Sequence, residues 1–115
     1  MKLDYKELFF LLDRAGAVIA FQEKHSSWAG ALAFSDETSA HALIQASRLE
    51  VAEIAALALD EESVASLVTA LKRRPIRCLL LDLDYHSGTC RQIEFEANGL
   101  GAVHERRFSS EHQHG

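Results

Sequence analysis

The run Cys78-Leu79-Leu80-Leu81-Asp82-Leu83-Asp84-Tyr85-His86-Ser87-Gly88-Thr89-Cys90-Arg91-Gln92-Ile93-Glu94-Phe95 decides the fold class. Two strand-like segments flank the polar connection His86-Ser87-Gly88, which is the pattern of a β-hairpin. A three-residue loop with Gly88 in the left-handed position sets Tyr85 opposite Thr89, Leu83 opposite Arg91, Leu81 opposite Ile93 and Leu79 opposite Phe95. The apolar residues of both strands then share one face. A two-residue loop would set Leu81 against Glu94, and burial selects against that slip because one residue of slip turns a whole face over.

The same register gathers Asp82, Asp84, Gln92, Glu94 and Glu96 on the other face, with Cys78 and Cys90. The dipeptide Asn98-Gly99 starts a third strand in which His104 and Arg106 lie on one side and Glu105 and Arg107 on the other. One arginine is expected to meet the acidic face, and Arg106 is the candidate cross-strand partner. The last third therefore reads as an antiparallel meander with strands near 76–85, 89–97 and 102–108.

Upstream, residues 61–74 are the clearest helix. Val64, Leu67, Val68 and Leu71 form one stripe, Glu61 and Glu62 open it, and Lys72, Arg73 and Arg74 close it before Pro75. Residues 36–48 read as another, capped by Ser35 or Asp36. Residues 49–59 allow helix or strand; the fresh helix start at Asp60 favours a strand at about 52–59, and the unit 52–85 is then a right-handed βαβ crossover. Residues 17–23 and 28–34 read as a hairpin joined by Lys24-His25-Ser26-Ser27. Residues 4–15 read as a helix with an Asp4–Glu7 capping box, the stripe Tyr5, Leu8, Phe9, Leu12, and Gly16 as its stop.

The expected architecture is a two-layer α+β domain, a mainly antiparallel sheet of five to six strands packed against about three helices, in the order α-β-β-α-β-α-β-β-β. It covers 1–108 as a single domain, with 109–115 a flexible polar tail. At 115 residues, 48% hydrophobic and 25% charged, the chain has the composition of one globular domain that needs no staple.

A net charge of −5 argues against phosphate-driven nucleic-acid binding. Lys72, Arg73, Arg74 and Arg77 put four cations within six residues; the first three suit a helix C-terminus, and the run lacks the interleaved aromatics of a single-strand platform. The apolar run Leu8–Leu12 is too short for a signal peptide, and no stretch reaches membrane-span length. Cys78 and Cys90 lack a CxxC spacing, so the reading is of reduced thiols, a cytoplasmic location, and no metal or other cofactor.

Three functions remain open. The first is a non-catalytic protein-interaction domain (inhibitor, immunity protein, chaperone or regulatory subunit) whose partner is another protein or a second copy, the homodimer forming through a sheet edge or an apolar helix face. The second is a small metal-dependent or acid–base enzyme using Asp82, Asp84, Glu94 and Glu96. The third is a small-ligand binder with a pocket between helix and sheet near Trp28, with His25 of the same loop as a further candidate binding residue. Leu79-Leu80-Leu81-Asp82-Leu83-Asp84 resembles the nucleophile strand of haloacid-dehalogenase-type phosphatases, an apolar strand ending in Asp-x-Asp. Only 31 residues follow Asp84, too few for the rest of such a site, so the activity is not carried over. His112-x-His114 lies in the tail, where it lacks the supporting residues of a metal site.

Overall fold

The computed structural model describes residues 5–22, 29–97 and 99–108. The elements run β1 (Glu7–Leu12), β2 (Ala20–Gln22), β3 (Ala29–Phe34), α1 (Glu37–Ser47), β4 (Glu53–Ala58), α2 (Glu61–Lys72), β5 (Ile76–Leu81), β6 (Thr89–Glu96) and β7 (Gly99–Arg107). All seven strands form one sheet in the order β4-β1-β3-β5-β6-β7, and β2 adds to β3 beside β1. Every pairing is antiparallel except β3 with β5. The fold is mixed α+β as expected, with a larger sheet and two helices rather than three. No helix among the described residues is long and apolar enough to cross a membrane.

The first expected helix is a strand. Leu8, Phe10 and Leu11 are buried and Phe9 is half-buried, so the run Leu8–Leu11 packs on both faces of the sheet. A strand covered on both sides carries no alternation, and a short apolar run then looks alike whether it is strand or helix. β1 lies between β3 and β4. Gly16, expected to end a helix, takes φ 83° in the β1–β2 turn, where Asp13 accepts backbone N–H bonds from Ala15 (2.9 Å) and Ala17 (3.0 Å). Asp4 of the expected capping box lies outside the described residues.

The expectation of two layers is also corrected. β1 runs antiparallel to both β3 and β4, so β3, β4 and β5 are mutually parallel. The crossover β3-α1-β4 travels one way along the sheet, and β4-α2-β5 travels back. Two crossovers of the same hand running in opposite directions place their helices on opposite faces. Accordingly, Ala40 and Leu43 of α1 pack with Leu11, Leu32, Phe34, Cys78 and Leu80, whereas Leu71 of α2 packs with Leu8, Phe10, Ala33, Leu79 and Ile93. Asp36 caps α1 through Ser39 N–H, and Asp60 caps α2 through Ser63 N–H, each at 2.7 Å.

The hairpin β5–β6 has a longer loop than expected. Leu79 stands opposite Ile93 and Leu81 opposite Arg91, two residues from the predicted pairing. The shift is even, so Leu79, Leu81 and Ile93 still share a face. Asp82 ends the strand with φ 55°. This left-handed residue interrupts the alternation, and Leu83, expected beside Leu81, packs into the opposite core. The loop closes through Asp84 N–H to Thr89 O (2.9 Å) and Gly88 N–H to Asp84 O (2.8 Å), with Gly88 left-handed at φ 75° as expected.

Candidate functional site

The expected acidic face is not assembled as such. Asp82 and Asp84 leave β5 for the loop, and each carboxylate is used there. Asp82 Oδ1 accepts Ser35 N–H at 2.8 Å, and its Oδ2 accepts Ser35 Oγ–H at 2.8 Å and an Arg91 N–H at 3.4 Å. Arg91 also donates to the Tyr5 hydroxyl at 2.7 Å, which with Asp82 raises the guanidinium pKa above its ordinary value. Asp84 accepts the backbone N–H of His86 (2.9 Å) and of Ser87 (3.3 Å), and these bonds lower its pKa.

Glu94 stays in β6 and accepts from Gln92 Nε2, while Gln92 Oε1 accepts from Arg106 at 3.0 Å. The expected arginine therefore does meet Glu94's face, with buried Gln92 between them, and its guanidinium also lies 4.9 Å from the Phe108 ring centre. Glu96 folds over Gly101, where a Cβ would come within 2.6 Å of its carboxylate. Among the described residues no group of three His, Cys, Asp or Glu side chains is placed to hold a metal ion. Trp28 and His25, with the loop between β2 and β3, lie outside the described residues, as do Asn98, the tail 109–115, and His112 and His114 within it.

Both thiols are buried on the α1 side. Burial first, and then nearby Glu94, push Cys78 up to about 12; burial pushes Cys90 up to about 11. At neutral pH both are protonated packing groups rather than nucleophiles.

Open α/β sheets present ligand crevices at the carboxyl ends of parallel strands, where the connections diverge. Here those ends are Phe34 and Leu81, and the Asp82 carboxylate bridges them by its bonds to Ser35. Beside it lies a cleft of about 340 Å³ between α1 and the loop, lined in part by Ser39, Leu43, Asp84 and His86. The sequence marks Asp82 as a site residue and Ser35 only as a possible helix cap, because 47 residues separate them and the β3–β5 pairing is what brings them together.

The second feature is an edge. β4 pairs with β1 alone among the described residues. Leu59 N–H donates to Lys6 O at 2.9 Å, which sets the phase of the ladder. In an antiparallel pair alternate residues bond across it, so Ala55 and Leu57 turn their peptide groups to β1 while Ile54, Ala56 and Ala58 turn theirs outward.

Edge strands are commonly blunted by charges, proline or bulges. β7, the other end strand, has a register break between Ile93 and Phe95 and the charged run Glu105-Arg106-Arg107. β4 reads Glu53-Ile54-Ala55-Ala56-Leu57-Ala58, with its one charge at the start and Ile54 and Leu57 only half-buried. A groove of about 720 Å³ follows its α2 side, lined by Leu57, Leu67, Asp60, Glu62, Ser63 and Ser66. The sequence placed a strand here, but nothing local shows which strand will lie at an edge.

Compared with known proteins, the chain matches no protein-family model, no curated protein and no solved structure.

Proposed function

We propose that this chain is a non-catalytic protein-interaction module that receives an extended segment of a partner along the β4 edge. The supporting observation is the outward-turned peptide groups of Ile54, Ala56 and Ala58 on a strand whose one charge, Glu53, stands at its start and which has no bulge or proline. Main-chain hydrogen bonds from such an edge supply affinity, and flanking pockets supply selectivity. The groove beside Leu57 and Leu67 is the pocket on offer, with Asp60 and Glu62 on its rim.

Extended peptides selected from a display library test this reading by amide-resolved NMR. Binders are expected to shift the amides of Ile54, Ala56 and Ala58 and to lose binding in Ala56→Pro, which removes an outward N–H and leaves the β1 bonds in place. Binders that shift the Asp82–His86 cleft instead, or that bind the proline variant equally, would falsify it.

A further inference from the structure

We propose that the segment received by β4 is β4 of a second copy of this chain, antiparallel and centred on Ala56; this rests on the edge reading above. A two-fold contact is self-complementary, so it requires one strand to satisfy itself. The phase of the ladder restricts the choice, because within β4 it is Ile54, Ala56 and Ala58 that turn their peptide groups away from β1. Centring on Ala56 sets Ala56 opposite its twin, Ile54 opposite Ala58, and Leu57 opposite Ala55, each large side chain against a small one.

Side-chain chemistry selects this register from its neighbours. Centred on Ala56, every pair from Ile54 to Ala58 is apolar against apolar. Moving the axis to Ala55 sets Leu57 against Glu53; moving it to Leu57 sets Ile54 against Asp60. Burying a carboxylate against an apolar side chain costs free energy. A parallel pairing would lay the Asp60-Glu61-Glu62 end of one copy beside the same end of the other. The antiparallel one separates those ends and sets Glu62 opposite Glu50, whose charge is offset by its solvent-exposed ion pair with Arg14 at 3.5 Å. The axis stands perpendicular to the sheet, so the two α1 faces join and the two α2 faces join. The half-buried Ile54 of one core and Leu57 of the other then gain cover from the twin.

The test uses the full chain. Wild type is expected to sediment as a dimer at the upper end of a concentration series. Ala56→Pro removes both hydrogen bonds at the axis, and at about the ordinary strength of a hydrogen bond this weakens the dimer roughly thirtyfold. Ala56→Lys, which places two cations face to face, gives the same direction with an unaltered backbone and covers the case in which the proline variant fails to fold. Ala56→Cys places two thiols at an exchangeable pair whose Cα atoms lie about 5.5 Å apart, within disulfide reach. Mild oxidation should link it across the axis, while Ala58→Cys should not link. Cys78 and Cys90 are buried and do not compete.

A wild type that is monomeric throughout, or a dimer that survives both Ala56 variants, overturns the second copy as partner. Cross-linking through position 58 rather than 56 overturns the register. If the monomer nevertheless takes up extended peptides with shifts at Ile54, Ala56 and Ala58, the edge reading stands and only the partner is wrong.

Discussion

Asp82 joins three parts of the chain through one side chain. Its N–H continues the parallel ladder to Ala33 O at 2.9 Å, its carboxylate takes both hydrogen-bond donors of Ser35, and Arg91 approaches from β6. Asp and Asn tolerate the left-handed conformation better than other non-glycine residues, so the residue type suits the backbone as well as the bonds. Asp82→Ala should lower unfolding free energy by about 2 kcal/mol in urea titrations, from lost bonds and from a side chain that resists this φ. Asp82→Asn, which keeps the backbone preference and one acceptor, should cost about half as much. An alanine variant as stable as wild type would show that the clamp contributes nothing.

Gly30 is the other decisive residue. A Cβ there would meet Leu80 Cγ at 2.6 Å and Cys78 Sγ at 3.1 Å. Gly30→Ala should destabilise by about 1–3 kcal/mol, as overpacking does. In a Leu80→Ala background the penalty should shrink, a coupling that a double-mutant cycle reads directly. Additive effects would mean that the two side chains do not compete for that space.

Among the elements, legibility followed exposure. The helices at 37–47 and 61–72 were readable because each has one wet face and an Asp cap, so period and punctuation agree. The strand at 53–58 was readable because Asp60 had to start a new helix. β1 was not readable. Its neighbours on both sides and both faces erase the alternation that would have named it, and its stripe fits a helix equally well.

For β4 the phase of its ladder makes an element-level prediction. In Ala56→Lys, the variant designed to be monomeric, amides of Ala55 and Leu57 should exchange slowly and those of Ile54, Ala56 and Ala58 quickly, read by NMR-detected hydrogen exchange. Uniform protection along the strand would mean that the outward edge is already covered.

For the whole molecule, two cores on opposite faces share one sheet, and the thiols sit in the core under α1. Both thiol pKa values are raised in the fold, from 9.0 to about 12 for Cys78 and about 11 for Cys90. A raised pKa stabilises fully below the unfolded value and is lost as pH rises through the folded one. Stability should therefore fall as pH climbs from 9 towards 11–12, and Cys78→Ala should flatten that slope although it lowers stability at neutral pH. Melting temperatures across the alkaline range decide this, and an unchanged slope in the variant would remove the thiol from the account. At the acid end the sign reverses. Bonds to His86 and Ser87 N–H lower the pKa of Asp84, and bonds from Ser63 lower that of Asp60, so their contribution is lost as pH falls below the ordinary carboxylate range.

By itself the sequence determined the mixed α+β class, both helices, the three-strand meander and the face shared by Leu79, Leu81 and Ile93, because these rest on local period, caps and turn residues. The face survived even though the loop was longer than expected, since an even shift preserves the alternation of a strand. Only the tertiary structure decided that 7–12 is a strand, that the helices cover opposite faces, that Asp82 closes on Ser35, and that β4 lies at one end of the sheet. Each of these depends on which strands become neighbours. That is set by crossovers between segments far apart in the chain, and a local pattern of residues carries no record of it.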